Sequence, residues 1–357
     1  MIKTLDKYII KKYLGTFFFT IGLLMSIVIV FDLSEKMDEL LSRDAPLLAT
    51  IKYYLNFIPY FINLYAPLFA FIAVIFFTSK MAARSEYVAM LASGTNYHRI
   101  LRPYFIASFI LFVFSLSLSN FIIPRTSQDR IDFDNLYLNP YTNKDRNIHR
   151  QIEKGVFMYI DFFNTKANVG YKFSLERFSG SSLLSKINSE SIRWDSVKKV
   201  WHLNDYQLRV FSSKGDKLVI GKSLDTTINV KPEDFGRWDN AFETMDYFQL
   251  NRQIEKVRLF GSSNIMVFLI EKYRRVSAPF SIFILTAIGM FLSSRKSKKG
   301  VGIHLGVGVG LAASYIFFGQ VSTQFSLVMG MSPILAVWIP NLLFMFVAAY
   351  LYVKAPK

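Results

Sequence analysis

The sequence predicts an α-helical polytopic membrane protein with six transmembrane helices and an all-β domain inserted between spans three and four. Three observations predict it. Six apolar runs are each long enough to cross a bilayer, which needs about 20 residues. Basic and acidic residues divide between alternate short links, as the retention of cations on the inner side requires. Between 125 and 263 the apolar residues alternate instead of running, and charges of both signs are interspersed. The organisation expected is 1–124 for an interfacial helix and spans one to three, 125–263 for the inserted domain, and 264–357 for spans four to six.

Composition agrees with this class and excludes others. Of 357 residues, 52% are hydrophobic and 16% aromatic, and the mean hydropathy is positive. The net charge of +16 invites a nucleic-acid reading, but many cations sit in short links beside apolar spans, and no basic-aromatic module accompanies them. The chain has no cysteine, which excludes disulfides and thiol-held metals. The four histidines, His98, His149, His202 and His304, are scattered without metal-ligand spacing, so no metal site is expected.

In order, 1–13 place Leu5, Tyr8, Ile9 and Tyr13 on one helical face and the lysines Lys3, Lys7, Lys11 and Lys12 largely on another. That pattern suits an interfacial helix with an inside N-terminus. Span one is Leu14 to Phe31, too long and without the small-residue site of a cleavable signal. The link after it is acidic (Asp32, Glu35, Asp38, Glu39, Asp44) and lies outside, although Lys36 and Arg43 there suit lipid phosphates as well as their acidic neighbours. Span two, Tyr54 to Phe77, carries Pro59 and Pro67, with Asn56 and Asn63 on one face as helix–helix hydrogen-bonders. Span three is Tyr104 to Ile123, closed by Pro124.

Between spans two and three, Ser79 to Arg102 is short, basic and amphipathic, which places it inside (Lys80, Arg84, Arg99, Arg102). Within this link, where a helix is expected over 82–94, Val88, Leu91, Ala92 and Thr95 recur at helical spacing, and Gly94 offers a stop. This is a small helix across the inner ends of two spans, placed to receive a push from a soluble partner. Glu86 near its start meets the helix dipole favourably, which by itself accounts for an acid there.

In the inserted domain, Val156 to Ile160, Tyr171 to Leu175, Trp201 to Tyr206, Lys217 to Ile220 and Thr226 to Val230 read as strands between turns, for a β-sandwich or an open jelly roll. From Phe242 to Gly261 the pattern is helical. Span four ends at Leu292, followed by the basic cluster Arg295 to Lys299 on the inner side. Span five runs from Val301 to about Phe325 and span six from Ile334 to Val353. Both termini fall inside.

No phosphate-binding loop is present, so nucleotide hydrolysis is not expected in this chain, and neither is a cofactor. Gly306, Gly308 and Gly310 lie within an apolar span, outside the strand–loop–helix context of a dinucleotide fingerprint. Gly302, Gly306, Gly310 and Ser314 at four-residue spacing form a small-residue ridge for close helix approach, to a partner left open. Gln320 and Gln324 belong with the helix–helix hydrogen-bonders.

These residues resemble a known family. Arg84-Ser85-Glu86, Met90 and Ala92-Ser93-Gly94 look like the coupling-helix motif of the lipopolysaccharide-export permeases LptF and LptG. Leu5 to Ile9 resembles that family's first helix, and Arg275 to Pro279, Gly302 to Gln320 and Gly330 to Pro340 are similar to its G-type C-terminal half. The resemblance implies one permease of an ABC transporter that pairs with a second LptF/LptG-type permease and a cytoplasmic LptB-like ATPase dimer. Glu86, Arg84, Met90 and Gly94 would then couple to the ATPase. The inserted domain would be a periplasmic jelly roll handing lipopolysaccharide to LptC-like and LptA-like proteins. The family meets lipid phosphates through basic residues near the outer end of span one, where acids dominate here and only Lys36 falls in register. Two other classes, a membrane-anchored periplasmic scaffold and a mechanotransmission ABC subunit, fit six spans less well.

Overall fold

The computed structural model describes residues 3–138, 146–164, 167–212, 215–232, 241–259, 265–294 and 301–354. The basic cluster Arg295 to Lys299, Gly261 and the last three residues lie outside them. Two compact units form: a helical one (residues 1–138, 243–247 and 266–357) and a mainly β one (139–242 and 248–265).

In the helical unit six helices are long and apolar enough to cross a membrane. Helix α1 (Thr4–Glu35) is followed by α2 (Met37–Ser42), α3 (Leu47–Ala83), α4 (Glu86–Ala92), α5 (Tyr97–Ser117) and α6 (Ile123–Phe133). Later come α8 (Ile265–Ser293), α9 (Val301–Met329) and α10 (Pro333–Lys354). α8 is the most enclosed span; α1 and α9 are the least.

Two helices depart from their expected form. The interfacial helix and span one are a single rod, since nothing between Tyr13 and Leu14 interrupts the backbone. Ile9, Tyr13, Phe17, Ile21 and Met25 bury one continuous stripe at four-residue spacing along it. At 32 residues α1 is about 48 Å long, well over the roughly 30 Å hydrocarbon layer. Span three does not close at Pro124 either. A π-helical turn, Leu118–Ile122, precedes α6 and Pro124 falls in its first turn, where a missing N–H costs nothing. The helix therefore runs on through α6 and a second π turn to Leu138.

Polar bonds, several of them buried, tie the helices together. The Tyr13 and Thr286 hydroxyls meet at 2.6 Å, and those of Thr78 and Tyr104 at 2.9 Å. Asn63 accepts from Ser115 at 2.6 Å, and Asn56 donates to Asp129 at 3.3 Å, so both asparagines link helices. Buried Asn341 of α10 accepts from Tyr315 of α9 and donates to the Ser277 carbonyl of α8. Gln320 and Gln324 are exposed. Arg130 of α6 pairs with Glu243 in the short 3-10 turn Ala241–Thr244; burial pushes the Glu243 carboxyl up while Arg130 pulls it down.

The inserted domain is built on a β-sheet, as expected. Among the described residues it is one antiparallel sheet in sequential order: β1 (Arg146–Glu153), β2 (Val156–Asn164), β3 (Val169–Ser179), β4 (Ser182–Asp195), β5 (Val200–Val210) and β6 (Lys217–Thr226). Met158, Ile160, Phe163, Phe173, Leu175, Ile192, Trp201 and Leu203 build its core. The Trp201 indole donates to the Val230 carbonyl at 2.7 Å, so 227–230 cap the core instead of extending the sheet. Gly155, between β1 and β2, has φ 78°, and a Cβ there would lie 2.6 Å from the Phe178 carbonyl oxygen. After the sheet, α7 (Tyr247–Leu259) buries Leu250, Ile254 and Val257 on one stripe.

Candidate functional site

α4 is set by its two ends. α3 continues through Ala82 and Ala83, so the small helix is narrower than 82–94. The break falls at Ser85, which adopts left-handed φ 60° without being glycine. At the other end Gly94 takes φ 79°, its N–H bonding the Leu91 carbonyl at 3.0 Å. Asn96 then caps α5 by accepting from the His98 N–H at 3.0 Å.

The inward face of α4 differs from the one the spacing suggested. Tyr87 is 1% exposed, and Met90 and Leu91 pack beside it on the main helical core, whereas Val88 is 52% exposed. Tyr87 has far more surface to bury than Val88, so it decides which way the helix is rotated. Val88, Ala89 and Ala92 are thereby left outward, a small apolar face next to Arg84 and Glu86.

Glu86 is not simply solvated. Its Oε2 accepts from the Tyr8 hydroxyl of α1 at 3.0 Å, and its Oε1 lies 3.9 Å from Arg84. At 62% side-chain exposure for Arg84 the ion pair is a weak one, so the Tyr8 bond is the firmer tie. Nearby, Asp6 of α1 is 3% exposed and takes both guanidinium nitrogens of Arg99, from the start of α5, one of them at 2.6 Å. The Lys3 N–H also donates to it at 2.8 Å. His98 completes the border, with Nε2 2.7 Å from the Tyr352 hydroxyl of α10. Asp6 and Arg99 were not among the expected site residues. The available signal was one acid placed among four lysines.

The other expected residues are placed elsewhere. The Lys36 ammonium spends its three protons on the two Asp32 oxygens (2.8 and 3.0 Å) and the Tyr53 hydroxyl (3.1 Å). Arg43 donates to the Leu138 carbonyl at 3.0 Å. On α9, no atom of the described residues comes within 4 Å of a Cβ built on Gly302, Gly306 or Gly310, and Ser314 is exposed. The close approach within this chain is made by Gly308, where a Cβ would fall 2.3 Å from Ile75 of α3. Among the described residues no cluster of acids and histidines is arranged to hold a metal.

This chain is similar along its length to known export permeases. The lipopolysaccharide export system permease protein LptG of Haemophilus influenzae is 23% identical over 354 residues, 96% of each chain. The protein of the same name from Escherichia coli K12 is 17% identical over 357 residues, 98% of each. The family described as lipopolysaccharide export system permease LptF/LptG matches residues 7–354, which takes in all six membrane helices and the inserted sheet. The chain belongs to the LptF/LptG family of lipopolysaccharide export permeases and is an inner-membrane protein.

Proposed function

We propose that this chain is the G-type half of an ATP-driven exporter that draws lipopolysaccharide from the inner membrane and passes it to a periplasmic bridge. Family membership over residues 7–354 carries the reading. The G-type part is favoured because both relatives above are named LptG. ATP is hydrolysed by an LptB-like cytoplasmic dimer, and both termini and α4 lie on its side of the membrane. The dimer docks on the outward face of α4 (Arg84, Glu86, Val88, Ala89, Ala92). Met90 and Gly94 hold the helix at its angle. Tyr87 passes a displacement of α4 into the span core, and Tyr8 passes it to α1.

The 125–263 domain is periplasmic in this reading. β1 and β6 are the edges of the sheet among the described residues, and Leu218 and Ile220 are exposed on β6. Edge strands of this kind join neighbouring sheets, here LptC-like and LptA-like ones, by strand addition. Phosphate contact by Lys36 requires it to exchange Asp32 for the lipid, so the paired permease carries much of that contact.

Depletion of the chain in a cell that makes lipopolysaccharide tests the reading. Newly made lipopolysaccharide is expected to accumulate at the inner membrane; a normal outer leaflet in depleted cells sinks it.

The α9 ridge gives a second test. Gly308→Leu overpacks Ile75, which is 1% exposed, and should destabilise this chain by about 1–3 kcal/mol in detergent melting. An added Cβ on Gly306 meets nothing among the described residues, so the melting of Gly306→Leu should be unchanged while recovery of the second permease falls. Equal behaviour of the two variants would remove the ridge as a subunit contact.

A further inference from the structure

A groove of about 620 Å³ runs between α1 and α3, lined by Tyr8, Lys11, Lys12, Gly15, Phe19 and Phe76 among others. Its floor is apolar, and its cations are gathered at one end. Phe19 and Phe76 are exposed, and an added Cβ on Gly15 would meet nothing within 4 Å among the described residues. Lys11 and Lys12 are exposed and have no carboxylate partner among the described residues; the Lys12 ammonium sits 5.7 Å from the Tyr8 ring centre. Acids close by are already engaged, Asp6 by Arg99 and Glu86 by Tyr8. From Lys12 to Phe19 the groove follows α1 for about 10 Å, most of one leaflet's hydrocarbon depth.

We infer that this groove binds an anionic glycerophospholipid, its phosphate on Lys11 and Lys12 and one acyl chain along Gly15, Phe19 and Phe76. Two uncompensated cations at the headgroup end of an apolar slot select a negative headgroup over a zwitterionic one. The volume is that of a small-molecule cleft, so the groove takes part of the lipid, its phosphate and one chain, rather than the whole molecule. Tyr8 borders the slot with its ring and holds Glu86 with its hydroxyl, so the bound lipid lies against the same side chain that tethers α4. The inference goes beyond the export reading and takes from it only the side of the membrane.

The test uses the full chain, with whatever subunits accompany it from the membrane, exchanged into micelles containing equal POPG and POPC and read by native mass spectrometry. The wild type should retain POPG about tenfold over POPC. Lys11→Gln with Lys12→Gln should bring that ratio close to one. Lys3→Gln with Lys7→Gln, the same charge change outside the groove, should leave it unaltered. Gly15→Phe fills the slot without changing charge and should lower retention of both lipids, which keeps the test decisive if the lysine variant does not fold. Equal retention of POPG and POPC by the wild type overturns the inference. So does an equal loss in the Lys3/Lys7 variant, or a cross-link from Phe19→Cys to a helix of another subunit. None of these readouts involves export, so failure here and failure of the export reading are distinct.

Discussion

Glu86→Arg should strip the ATPase from the purified permease, with a loss in recovered partner on the order of a hundredfold. The estimate follows from charge–hydrogen-bond contacts at interfaces, whose loss costs about 2–5 kcal/mol. In this chain the reversal removes the acceptor of the Tyr8 bond and sets a second cation beside Arg84. α4 itself should stay in place, because Tyr87 remains buried and the Ser85 and Gly94 turns are untouched. The melting temperature is therefore expected to be near that of the wild type. Tyr8→Phe separates docking from transmission: it keeps the Glu86 charge and removes the tether. Partner recovery should persist in that variant while lipid moved per ATP falls. Normal export by Glu86→Arg would end the coupling role given to α4.

The second large effect is expected at Asp6. Asp6→Ala leaves the Arg99 guanidinium without its acceptor and the α1 N-terminus without its cap. Removing one partner of a pair whose carboxylate is enclosed is destabilising, and the solvent access of the Arg99 side chain, 23% exposed, moderates the loss. The measurement is thermal unfolding in detergent. Asp6→Asn should fall in between, because it keeps an acceptor for the Lys3 N–H and loses only the charge. Exchange of the two residues, Asp6→Arg with Arg99→Asp, should recover part of the loss. Unaltered melting in Asp6→Ala would show that the α1–α5 junction does not depend on this pair.

The legible parts of the fold were those written in short windows. Six apolar runs gave six helices, and alternation gave the strands β2, β3, β5 and β6 near their true places. The longest strand was missed. β4 reads SLLSKINSESIRWD, and only Ser189 and Ile192 along it are buried, so its sequence never presents an apolar face. It is held by ladders to β3 and β5, which belong to the neighbours' sequence as much as to its own. In α4 the spacing rule found the helix and Leu91 on its core side but not Tyr87, the side chain that orients it, one position and about 100° from Val88.

What the sequence alone determined is the class of molecule: how many segments leave water, and that a β-sheet domain interrupts them between the third and the fourth. Those properties follow from the transfer of apolar groups and from local periodicity, and both are sums over consecutive residues. Tertiary structure decided which of several equivalent residues act. It chose Gly308 over Gly306 as the contact with α3, brought Tyr53 to Lys36, and brought Asp6 to Arg99. Each of those outcomes depends on how one helix is turned about its axis against another, and a helix fixes that angle only when it packs.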